Sequence, residues 1–128
     1  MEIMAPISAG ELLDKISILE IKAARLADPA KRANVLHELE RLVAIRTAEA
    51  FMTPAIESLA RELRAVNEGL WDVEDGKRDC ERRQDFGPSF VELARRVYRE
   101  NDRRAAIKRA INEAAGSSIV EEKSYGAY

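Results

Sequence analysis

The segment from Ser89 to Gly116 constrains the fold most, because it reads as one long helix whose inward stripe changes character halfway. At 100° per residue the apolar half of the stripe contains Phe90, Leu93, Ala94 and Val97, and the polar half contains Asn101, Arg104, Lys108 and Asn112. A face with this spacing normally turns towards neighbouring helices. The amides and cations therefore either satisfy one another inside a bundle or line a place where something binds.

Composition favours helices throughout the chain. Only six Gly and four Pro occur in 128 residues, and a chain of this length is typical of one domain. The formal charge of −2 arises from interleaved acids and bases, which argues against a nucleic-acid binder. The single cysteine, the lack of a secretory signal and the lack of a long apolar run lead us to expect a cytoplasmic protein without a membrane anchor.

Start signals divide the chain into an antiparallel bundle of three to four long helices with a short tail. Ser8 and Ser89 each open a capping box, and Asp28 and Thr53 are each followed by proline. The sequence predicts one helical domain over residues 1–128, with helices at about 9–27, 29–52, 54–83 and 90–115 and a tail at 117–128. Thr53-Pro54 permits either a reversal of the chain or a kink in a longer helix.

Folding the third helix against the fourth as a hairpin about Phe86 brings the polar ends of two stripes together. This juxtaposition predicts a cluster of eight candidate ligand-binding residues, namely Asn67, Trp71, Glu74, Arg78, Tyr98, Asn101, Arg104 and Lys108. Buried polar groups need partners, since an unpaired one costs about 1–3 kcal/mol. The cluster is therefore either a satisfied network or a pocket.

The two interpretations assign different roles to the same side chains. In a network, Glu74 pairs with Arg104 or Lys108 and the amides bridge backbone or water. In a pocket for a small anion or polar metabolite, Arg104 and Lys108 supply charge, Asn67 and Asn101 donate hydrogen bonds, and the tryptophan forms one wall.

Two sets of carboxylates at helical spacing are candidate metal ligands. One row lies about 100° from the tryptophan stripe and is interpreted as a solvated surface row; it contains Glu68, Asp72, Asp75 and Asp79. Glu11 and Asp14 form an E-x-x-D that resembles half of the metal site in all-α nucleoside triphosphate pyrophosphohydrolases. No matching E-x-x-E follows, so this metal-dependent enzyme is retained as the alternative function.

Other chemistries have weaker support. His37 lies among surface residues and Cys80 lies in a charged helix end, so neither is expected to act in nucleophilic catalysis. Acids interrupt the outward arginines of the last helix, and no aromatic alternates with them, which argues against a stacking platform for nucleic acid. No residue pattern indicates a cofactor.

Four stretches resemble a bacterial family of short all-helical proteins of unknown function. They read GELLDKISILEIKAARL, NEGLWDVEDGKR, FVELARRVYRENDRRAAIKRAIN and SSIVEEKSY. The resemblance spans nearly the whole chain and implies a small helical cytoplasmic protein, and it carries no catalytic residues.

We expect a non-enzymatic binding or scaffold module that contains a polar cluster between helices. Long helices with broad apolar surfaces leave more apolar area than one compact bundle can cover, so we also expect a homodimer. A small anionic or polar molecule is the expected ligand.

Overall fold

The computed structural model describes all 128 residues and contains four helices and no strand. The elements are α1 (Ala9–Arg25), α2 (Pro29–Glu49), α3 (Pro54–Arg83) and α4 (Pro88–Ala115). The predicted all-α bundle is therefore confirmed. None of the four helices combines the length and the apolar character that crossing a membrane requires.

Three of the four predicted helix starts are correct. The side chain of Ser8 accepts a hydrogen bond from the backbone N of Glu11, Asp28 caps α2 in the same way, and Thr53 caps α3. The capping box predicted at Ser89 is wrong. Helix α4 begins two residues earlier, at Pro88, with Gly87 as N-cap and no side-chain cap, because proline's fixed φ suits the first helical position.

Helices α1 and α2 end two to three residues earlier than predicted. Leu26 is extended (φ −76°, ψ 127°), so α1 stops at Arg25 rather than at residue 27. Ala50 adopts the left-handed conformation (φ 52°), so α2 stops at Glu49 rather than at residue 52. One residue outside helical geometry therefore ends each of these helices. The sequence has only weak helix stop signals at both places.

The joint at Thr53-Pro54 is a reversal of the chain. Asp14 contacts Asn67 and Arg25 contacts Asp72, so α1 and α3 run in the same direction. Helix α2 follows α1 through a short connection and packs back along it, which makes α2 opposite in direction to α3. The bundle therefore alternates up and down through four helices.

The core lies among α1, α3 and α4. Its fully buried members are Leu12, Leu13, Ile16, Ile56, Leu63, Val66, Ile107 and Ile111. Helix α2 contributes no fully buried residue, and its backbone approaches only that of α1. Half-buried leucines such as Leu39 and Leu42 pack against the edge of this core. The bundle thus consists of a three-helix core with α2 on its outside.

Candidate functional site

The most enclosed polar group of the protein is the carboxylate of Asp14 on α1, whose exposure is 1%. Arg104 on α4 donates to it from Nε (2.9 Å) and also from Nη2. Asn67 on α3 donates to the same carboxylate from Nδ2 at 2.8 Å. A two-pronged guanidinium contact of this kind is among the strongest charge-assisted arrangements. Asp14 therefore joins the three core helices at one point.

Ser17 completes this arrangement one turn further along α1. Its Oγ donates to the backbone oxygen of Asp14 (2.8 Å) and accepts from Nδ2 of Asn67 (2.7 Å). We call Asp14, Ser17, Asn67 and Arg104 the Asp14 network. No buried side-chain nitrogen or oxygen in the structure lacks a hydrogen-bond partner. The network is therefore satisfied from within the protein, as a stable buried polar group requires.

Lys108 extends the charged region towards the start of α1. Its Nζ donates to Glu11 at 2.6 Å and to Glu121 of the tail at 3.0 Å. Burial alone would lower the pKa of Lys108, but the hydrogen bonds to these carboxylates outweigh it and raise the pKa. Burial would likewise raise the pKa of Glu11, and the hydrogen bond and charge of Lys108 reverse that effect and lower it. Both groups are held in their charged forms.

Close approach of α1 to α4 makes these contacts possible. The backbone N of Gly10 donates to Oδ1 of Asn112 at 2.6 Å. A Cβ at position 10 would lie 2.5 Å from the backbone oxygen of Lys108 and 2.9 Å from Oδ1 of Asn112. Only glycine fits this contact without displacing backbone.

Beside the Asp14 network lies a cleft of about 360 Å³, which we call the Trp71 cleft. Arg25 covers part of the indole, with its Cζ 5.7 Å from the ring centroid. The cleft is lined by Ile18, Ile21, Asn67, Leu70, Trp71, Glu74, Asp75, Arg78 and Arg104. Five of the eight predicted cluster residues therefore come together here, among them residues of both α3 and α4, as the predicted hairpin requires.

Glu74 finds its partners on its own helix. It accepts from Arg78 at 2.8 Å and from Lys77 at 3.4 Å. The hydrogen bond from Arg78 lowers the pKa of Glu74. The predicted pairing of Glu74 with Arg104 or Lys108 is wrong, because those cations reach the carboxylates of α1, which the prediction had left out of the network.

The remaining predicted residues lie outside the cleft. Tyr98 and Asn101 line a separate groove of about 890 Å³ between α4 and the tail. Lys108 lines neither the Trp71 cleft nor the groove at the tail, and its side chain points towards Glu11 and Glu121. The predicted cluster is thus divided among a cleft, a tail groove and an ion-paired lysine.

Five of the six carboxylates predicted as candidate metal ligands accept a hydrogen bond from a cationic side chain. Glu11 and Asp14, the predicted half-site, are bound by Lys108 and Arg104, so a divalent cation would compete with both. In the surface row, Asp72 pairs with Arg25. No group of three or more His, Cys, Asp or Glu side chains is arranged to hold a metal ion.

Sequence reasoning missed the central position of Asp14. A signal was present, because Gly10, Asp14, Ser17 and Ile21 follow helical spacing beside the apolar stripe of α1. Two small residues flanking an acid on such a stripe indicate close packing around a buried carboxylate.

Comparison with known proteins yields a family and no function. Residues 3–128 match the sequence model of DUF6165, described as a family of unknown function. No curated protein and no solved structure matches the chain.

Proposed function

The chain belongs to the DUF6165 family, whose function is unknown, and we propose that it is a non-enzymatic binding module whose Trp71 cleft takes a small polar molecule with an anionic group. The observation that supports this most directly is that Arg104 belongs both to the Asp14 network and to the lining of the cleft. A guanidinium fixed by a buried carboxylate is preorganised, so a ligand need not order it.

The free hydrogen-bonding capacity of the cleft suggests the chemistry of the ligand. Asp14 engages Nε and Nη2 of Arg104, which leaves Nη1 to donate to an anion. Arg78, whose side chain is 67% exposed, can contribute a second positive charge. Asn67 uses its NH₂ group within the network, so its oxygen remains to accept a hydrogen bond from the ligand. The amide donor role predicted for Asn67 is therefore replaced by an acceptor role.

Apolar side chains in the same lining support a ligand larger than a bare ion. Ile18, Ile21 and Leu70 line the cleft together with the indole of Trp71. Such a combination of apolar walls with a few convergent polar groups is typical of small-molecule sites.

Trp71 is the only tryptophan of the chain, so its fluorescence reports on the cleft. The full-length protein is titrated in EDTA with phosphate, pyrophosphate, glutamate, citrate and ATP. We expect a saturable fluorescence change with at least one of these anions. Replacing Arg78 by Gln should weaken that binding about tenfold, which corresponds to about 1.4 kcal/mol.

Arg82→Gln is the matched control, because Arg82 is an equally exposed arginine of α3 that pairs with Asp79 and does not line the cleft. Equal binding by the two variants, or no saturable change with any anion, would overturn the proposed ligand site. Magnesium-dependent turnover of ATP would instead support the pyrophosphohydrolase-like alternative.

We further propose that the module works as a homodimer that pairs through α2 and the N-terminal arm, residues 1–7. The protomer has an accessible area of 8506 Å², whereas a typical monomer of its mass has about 6,800 Å². The excess of about 1,700 Å² is twice the ~800 Å² that each partner contributes to a standard interface. Five of the twelve large exposed apolar side chains lie on this side, namely Met1, Ile3, Met4, Ile7 and Leu36.

Sedimentation of the full-length chain tests the dimer. Leu36→Lys should reduce the dimer mass to that of a monomer, since a desolvated charge at an apolar interface is costly. Val91→Lys, at a comparably exposed apolar position of α4, should leave the dimer intact. A monomeric mass for the unchanged protein contradicts the proposal. We assign the module to the cytoplasm, which the single buried cysteine supports.

A further inference from the structure

The tail after α4 runs back along that helix and forms neither helix nor strand. Gly116 turns the chain with a left-handed conformation (φ 69°), and the backbone N of Ser117 donates to the oxygen of Asn112 at 2.9 Å. Beyond Ser117 the tail makes no backbone–backbone hydrogen bond. Side chains alone therefore hold residues 118–128 against the bundle.

Three tail side chains fix the register along α4. Glu121 accepts from Lys108 at 3.0 Å, and Lys123 donates to Asp102 at 2.9 Å. The hydroxyl of Tyr128 donates to the same Asp102 at 2.5 Å. Tail positions that rise from 121 to 128 thus meet α4 positions that fall, so the tail is antiparallel to the helix.

An aromatic contact and a buried hydroxyl strengthen the two ends of this pairing. The ring of Tyr128 packs edge-on against Tyr98, with centroids 5.1 Å apart. At the other end, the Oγ of Ser8, which is 2% exposed, lies 3.3 Å from Oε1 of Glu121. The tail therefore presents an acid, a base and an aromatic ring in order.

The charges of the bundle complement that order. At the Glu121 end the bundle holds three cations and only two carboxylates, so Glu121 supplies the balancing charge; these groups are Lys15, Arg104, Lys108, Glu11 and Asp14. At the other end, the hydrogen bonds to Asp102 come from tail residues alone. Each end of the groove thus attracts a charge opposite to its own.

The tail is held loosely despite this complementarity. All residues from Ser118 to Tyr128 are exposed, and about 890 Å³ of space remains between the tail and α4. Exposed ion pairs contribute only about 0–1 kcal/mol each. Segments held by such contacts open most readily.

We propose that the groove of α4 between Ser8 and Tyr98 binds an extended acidic–aromatic peptide segment of a partner protein, and that residues 117–128 occupy it as an internal competitor. A tethered tail acts at an effective concentration on the order of millimolar, so a partner must outcompete it. The acid, the base and the tyrosine belong to one segment, residues 121–128, and contact α4 from Lys108 to Tyr98, which fits a polypeptide rather than a compact metabolite. This groove is separate from the Trp71 cleft.

The experiment uses a fluorescein-labelled peptide, SSIVEEKSYGAY, and measures its anisotropy with full-length protein. Replacing Glu121 by Ala and Tyr128 by Ala in the protein removes two of the tail's side-chain contacts and leaves the α4 side of the groove unchanged. We expect this double variant to bind the peptide about tenfold more tightly than the unchanged protein. A scrambled peptide of the same composition should not bind.

Groove variants are compared in the same double-variant protein. Asp102→Asn should weaken peptide binding about tenfold, while Asp79→Asn, at a similarly exposed aspartate of α3, should not. Absence of peptide binding, equal affinity with and without the tail contacts, or equal loss in both aspartate variants would each overturn the proposal. A dimer mass that is lost in Tyr128→Ala would assign the groove to the tail of a second copy and would also overturn it.

Discussion

The Asp14 network and the Trp71 cleft share Asn67 and Arg104, yet they hold their acidic groups in different ways. Asp14 is 1% exposed and receives hydrogen bonds from α3 and α4. Glu74 has a side chain that is 43% exposed, and its partners lie three and four residues along its own helix. One acid connects elements far apart in sequence, and the other belongs to a local pair. Whether an acid has a structural role or can adapt to a ligand therefore depends on its burial and on whether its partners lie on other helices. It does not depend on the type of residue.

The largest expected effect comes from neutralising the two acids in parallel. Asp14→Asn leaves the guanidinium of Arg104 without its counter-charge beside the core, and we expect a loss of about 3 kcal/mol of unfolding free energy. Glu74→Gln removes an exposed local pair and should cost less than about 0.5 kcal/mol. Urea denaturation of the two variants measures both values. Similar losses would show that the distinction between the regions is wrong.

The next effect tests the close contact between α1 and α4. Gly10→Ala places a Cβ 2.5 Å from a backbone oxygen, and we expect a loss of about 2 kcal/mol. Gly69→Ala, in α3, meets no atom within 4 Å and should gain about 0.5–1 kcal/mol, because alanine favours helices. The sign of the change in melting temperature distinguishes the two sites. A stabilised Gly10→Ala variant would contradict the packing described here.

A smaller effect is expected in the unfolding free energy at low pH. Because the pKa of Glu11 is lowered from its ordinary value of 4.5, its contribution is present above pH 4.5 and is lost as the pH falls through the lowered value. Glu11→Gln should therefore remove about 1 kcal/mol of unfolding free energy at pH 7 and flatten its decline below pH 4.5.

Glu62→Gln provides the control for this pH series, since Glu62 is exposed and forms no ion pair. The raised pKa of Lys108 has the opposite sign, so its contribution persists up to pH 10.5 and is lost only above that value. If the unfolding free energy declines equally at low pH in both variants, Glu11 is not one of the stabilising charges.

Sequence patterns predicted the helices and the pairing of α3 with α4, because periodicity and caps are local signals. They placed Asn67 near Arg104 correctly. They did not reveal that Asp14 stands between them, since the position of α1 over the hairpin depends on packing among distant segments. The tail groove was not predicted, for the same reason. Glu121 and Lys108 are 13 residues apart on either side of a turn, and no periodic spacing in the sequence links the two positions.

Asn112 has two attachments that act on different parts of the chain. Its side chain holds the first turn of α1 through Gly10, and its backbone oxygen holds the first residue of the tail, Ser117. One asparagine therefore anchors both the entry into α1 and the exit from α4, the first through its side chain and the second through its backbone.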